Sequence, residues 1–60
     1  MLIKFYDDHD RFTYCKSSEE VNPFSQGIKN HFYYGGSVVL ENSTDKIGDH
    51  NTLNSLINNA

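Results

Sequence analysis

The chain predicts a single small α+β domain over residues 1–60, in which two β-hairpins form one four-stranded antiparallel sheet and a short C-terminal helix packs on one face. Three observations predict it. Apolar and polar residues alternate on both sides of Asp7-Asp8-His9-Asp10, two apolar stretches flank the pair Gly35-Gly36, and Leu53, Leu56 and Ile57 recur at helical spacing.

In the first hairpin Ile3 and Phe5 alternate with Leu2, Lys4 and Tyr6, while Phe12 and Tyr14 alternate with Arg11, Thr13 and Cys15. The aspartates between them suit a turn, because short polar side chains bond their own backbone. Pairing Asp7 with Asp10 across an Asp8-His9 loop sets Phe5 against Phe12 and Ile3 against Tyr14, with Tyr6 facing Arg11 on the other side. A one-residue slip would turn one strand's apolar residues outward, so the pattern favours this register.

Ser17 and Glu20 then have the spacing of a helix capping box. Asn22-Pro23 and Gly27 restrict the segment after Val21 to one helical turn or an irregular excursion, pinned to the core by Phe24 and Ile28. The paired glycines 35 and 36 tolerate the positive φ of a type I′ turn. A second hairpin about them sets Tyr33 against Val38, Phe32 against Val39 and His31 against Leu40. Tyr33, Val38 and Leu40 share one face and Phe32, Tyr34 and Val39 the other, so both faces are apolar. A three-stranded sheet with Lys29–Phe32 irregular is the competing arrangement. After a polar stretch, Asp49 or Asn51 caps the last helix, which is too short to hold without docking its stripe.

Sixty residues bury only about 60% of the unfolded surface, and domains of this size lean on a metal, a disulfide or a partner. Cys15 is the one cysteine, which excludes an internal disulfide and a paired-cysteine zinc knuckle and fits a reducing compartment. Hydrophobic residues are 37% of the chain, and four Tyr with four Phe argue against disorder. No signal-like or membrane-spanning stretch is visible, so a cytoplasmic location is expected, of the kind frequent among short bacterial and phage proteins. The net charge of −3, with bases interspersed among acids, disfavours a phosphate-backbone binder.

No phosphate loop, dinucleotide fingerprint, zinc-ligand repeat or nucleophile elbow occurs, so neither enzyme activity nor a cofactor is expected. The leading expectation is a small protein-binding module that regulates or inhibits a larger partner through an aromatic β-hairpin surface. Its residues are Phe32, Tyr34, Val39, Tyr6 and Arg11, and its partner is another protein or a second copy of the chain. Tyrosine suits such a surface because it offers contact area with a polar tip and little rotamer freedom to lose. One alternative is a metal-binding structural domain centred on Asp7, His9 and Asp10, with Asp49-His50 completing the ligands; the same residues also read as a solvated turn. The other is a single-stranded nucleic-acid binder that stacks bases on these rings, against which the negative charge counts. His31, placed mid-strand among aromatics, reads as half-buried and hydrogen-bonded.

Overall fold

The first strand sits at the centre of the sheet, not at its edge. A computed structural model describes residues 1–59. Strand β1 (Leu2–Tyr6) pairs antiparallel with β2 (Phe12–Ser17) on one side and with β3 (Ser37–Leu40) on the other, giving the order β2-β1-β3. A 3-10 turn (Ser18–Glu20) and helix α1 (Gln26–Tyr33) connect β2 to β3, and helix α2 (His50–Asn58) ends the domain. The expected four strands are therefore three, and the expected single helix is two.

The β1–β2 hairpin forms with a different register. Asp10 donates to the Asp7 carbonyl and Asp7 to the Arg11 carbonyl, leaving three residues in the loop with Asp10 at φ 63°. A type I turn closed by one left-handed residue is the usual three-residue hairpin loop, and aspartate tolerates that conformation. A bulge at Thr13 adds a second extra residue, so that Tyr6 faces Phe12 but Phe5 faces Tyr14 and Ile3 faces Lys16. The Thr13 hydroxyl stitches the bulge by donating to the Phe5 carbonyl at 3.0 Å. Two added residues restore the alternation that one would have destroyed. Phe5 and Tyr14 thus share the core face, where their rings stack with centroids 4.6 Å apart. Phe12 turns to the opposite face and meets Tyr6 edge-on.

The second hairpin is replaced by a helix, a turn and a strand. Ser25 caps α1 by accepting the Ile28 amide, and Pro23 precedes the cap, where it breaks no helical bond. Ile28, His31 and Phe32 fall at i, i+3 and i+4, so one helical face carries the residues expected to alternate along a strand. Ile28 is buried and Phe32 packs on the core, while Tyr33 and Tyr34 point outward. Gly35-Gly36 stops the helix. The Gly36 amide donates to the His31 carbonyl and the Gly35 amide to the Phe32 carbonyl, with Gly35 at φ 90°. This is a Schellman motif, which uses the same left-handed freedom that a type I′ turn would.

Strand β3 then pairs with β1, setting Phe5 against Val38 and Ile3 against Leu40. Ile3, Phe5, Val38 and Leu40 meet Val21, Ile28, Ile47 and Leu53 in one apolar cluster between the sheet and the two helices. Asp49 caps α2 by accepting the Thr52 amide. Leu53 is fully buried, Ile57 is half-buried, and Leu56 faces out. Phe24, expected in the core, is largely exposed and meets the His50 ring edge-on; Val21 takes the inner place.

Candidate functional site

The two edges of this sheet differ. Beyond β3, Val38 and Ile47 exchange both backbone hydrogen bonds at 2.9 and 2.8 Å, so the following loop covers the middle of that edge. Among the described residues no strand lies beyond β2. Every residue from Phe12 to Lys16 is exposed, with Phe12 at 56% and Tyr14 at 46%.

The ladder decides which backbone groups this edge offers. Ser18 donates to the Met1 carbonyl, and Glu41 donates to the Leu2 carbonyl on the far side. Hydrogen-bonded and non-bonded pairs alternate in an antiparallel ladder, so Tyr14 and Lys16 turn their amides and carbonyls toward β1. Cys15 and Ser17 turn theirs to solvent. An open edge with such groups is a template for another strand unless it is blunted.

Helix α1 passes beside β2 without closing over it. The Tyr14 ring stands between two hollows of about 140 and 370 Å³. Lys16, Val21 and Ser25 line the first, and Asp8, His31 and Tyr34 the second. Gly27 borders both, and a methyl group added there would meet nothing within 4 Å. Both hollows lie on the core face of the edge strand, each bordered by the Tyr14 ring and by residues of α1.

Of the five residues expected to form one binding surface, Val39 and Tyr6 share a sheet face, and Phe32 and Tyr34 lie on helix α1 and at its end. Phe32 is half-buried against the core, and Val39, at 8% exposure, lies on the sheet face away from the helices. Tyr6 shares that face under the Lys46 ammonium, which stands 3.6 Å from its ring centre and pairs with Asp10. Arg11 is exposed beside the loop, its guanidinium 3.0 Å from Asp7. Tyr34, 73% exposed, stands at the end of α1 edge-on to Tyr33. Sequence reasoning passed over Phe12, Tyr14 and Cys15 because it paired their strand with the first one and fixed no neighbour on its other side.

The acidic loop is a hydrogen-bonded turn. Asp7 Oδ1 accepts from the His9 and Arg11 amides at 2.9 and 2.8 Å, and Oδ2 accepts from Arg11 Nε. Among the described residues no three His, Cys, Asp or Glu side chains stand close enough together to hold a metal ion. Led by the Arg11 amide and opposed in part by desolvation, these bonds hold the Asp7 carboxyl below its ordinary range; the Thr52 amide does the same for Asp49. Groups whose folded pKa is depressed contribute stability above their ordinary pKa and lose it as pH falls through the folded value. The melting temperature is therefore expected to decline below about pH 4. A D7N/D49N variant should show a shallower acid decline, and an unchanged slope would mean that other carboxyls control it.

No helix among the described residues is long and apolar enough to cross a membrane. The arrangement is that of a small antiparallel sheet backed by helices on one face, with one edge strand left open. Compared with known proteins, the chain matches no family model, no curated protein and no solved structure.

Proposed function

We propose that this chain is a small protein-binding module, of the kind that regulates or inhibits a larger protein, which accepts an extended segment of its partner along the free edge of β2. The single observation carrying this reading is the exposed edge from Phe12 to Lys16, with outward amides at Cys15 and Ser17 and the unroofed Tyr14 beside it. Strand addition draws affinity from main-chain hydrogen bonds and specificity from alternate side chains. The two hollows between Tyr14 and α1 receive one set of those side chains, and Phe12 borders the other.

The test is Cys15→Pro. The Cys15 amide faces away from β1, so proline removes an outward donor and leaves the inner ladder at Tyr14 and Lys16 intact. The variant is expected to melt cooperatively and to lose most of the partner recovered when the wild type is used as bait in extracts of the native host. Full recovery by a folded C15P protein would place the binding surface elsewhere.

A further inference from the structure

We infer that the larger hollow beside Tyr14 is a seat for a basic side chain, so that the segment docking on β2 carries an arginine or lysine where it passes Asp8. This rests on the edge-binding reading and adds to it the chemistry of the partner. The hollow, about 370 Å³, is bordered by Asp7 and Asp8 of the hairpin loop, by Tyr14 of β2, and by Asn30, His31 and Tyr34 at the end of α1. Among the described residues no lysine or arginine lines it.

Once the internal pairs are set aside, the charge left at this hollow has one sign. Asp7 is engaged by the Arg11 guanidinium and two amides, and Asp10 pairs with Lys46. The Asp8 carboxylate is 58% exposed and, among the described residues, has only the His9 ring near it, at 3.8 Å. The last turn of α1 adds the negative end of the helix dipole. Nε2 of His31 is already bonded to the Ser37 carbonyl. Tyr34, 73% exposed, supplies an aromatic ring on which a cation can rest. Lys16, whose ammonium stands 5.9 Å over the Tyr14 ring, borders the smaller hollow and not this one. The smaller hollow, with Lys16 and Glu20, is mixed in sign and selects neither charge. A guanidinium suits the larger one best, since its fork matches a carboxylate while its plane lies on a ring.

The probes are two capped peptides, acetyl-Thr-Val-Arg-Val-Thr-amide and the same peptide with glutamate at its centre. Each is titrated at low salt into the isotope-labelled chain and followed by amide chemical shifts. The arginine peptide is expected to shift the Asp8, Asn30 and Tyr34 amides and to bind about tenfold more tightly than the glutamate peptide, the gap narrowing as salt is added. Asp8→Asn should weaken the arginine peptide about fivefold and leave the glutamate peptide no weaker. Its melting temperature should match the wild type, because Asp7 and not Asp8 holds the turn. Equal affinity for the two peptides, no binding of the arginine peptide at about 5 mM, or unchanged affinity in the D8N protein would overturn the basic seat. The C15P protein separates this outcome from the edge-binding reading. An arginine peptide bound by C15P with unchanged affinity keeps the seat and removes strand addition. Two peptides bound alike by the wild type, and both lost in C15P, keep strand addition and remove the seat.

Discussion

Phe5→Ala is expected to remove a third or more of the domain's folding stability at 25 °C. Phe5 is fully buried on the central strand, stacked on Tyr14, met edge-on by His31 at 5.2 Å, and paired with Val38. Truncating such a residue costs about 3–5 kcal/mol, since the apolar contacts are lost and the hole closes only in part. At the usual stability per residue, a domain of this length has about 3–9 kcal/mol in all. Two of the three strands and helix α1 meet through this ring, so no part of the domain is insulated from its loss. Urea titration followed by circular dichroism checks the expectation. A midpoint lowered by the equivalent of less than about 1 kcal/mol would show that the core is centred elsewhere.

Gly36→Ala is expected to destabilise by about 1–3 kcal/mol, even though an alanine is a small addition. The His31 ring folds over Gly36, with Nε2–H donating to the Ser37 carbonyl at 3.0 Å, and an added Cβ would lie 2.5–2.8 Å from three atoms of that ring. Relief requires the imidazole to swing away, which breaks its bond to β3 and its contact with Phe5 together. Gly35→Ala has a different origin, because φ 90° is a conformation that side-chain-bearing residues rarely adopt. The two causes separate in a double-mutant cycle with His31→Ala, where the Gly36 penalty shrinks and the Gly35 penalty stays. If the Gly36 penalty persists without the imidazole, packing against His31 is not its source.

The elements legible in the sequence were those held by local chemistry. The aspartate turn, the Asp49 cap and the last helix need only neighbouring residues to form, and each is present, although the turn takes Asp10 as a third loop residue and Leu56 leaves the expected stripe of Leu53, Leu56 and Ile57 to face out. The hairpin register was missed because alternation is blind to paired insertions. The left-handed Asp10 and the Thr13 bulge together shift the strand by two residues beyond the bulge, which keeps the facing of Tyr14 while Phe12, before the bulge, changes face. The Gly35-Gly36 segment was misread because the same two glycines serve either a tight hairpin or a helix stop. Ser25 and the i, i+4 pair Ile28 and Phe32 decide for the helix, since they place its apolar side on the sheet. The candidate site was hidden for a related reason. Exposure of Tyr14 and Cys15 depends on which strand lies beside β2, and that is set by β3 crossing over to the far side of β1.

The central position of β1 also constrains the order of assembly as the polypeptide leaves the ribosome. Its partner in β2 emerges within a few residues, but Val38 and Leu40 come more than thirty positions after Phe5 and Ile3. Until they arrive, the nascent chain holds a two-stranded ribbon with Ile3 and Phe5 uncovered, which is marginal in water. The slow event in reaching the native state is therefore closure of that long loop, and helix α1, formed inside it, shortens the distance the ends must search.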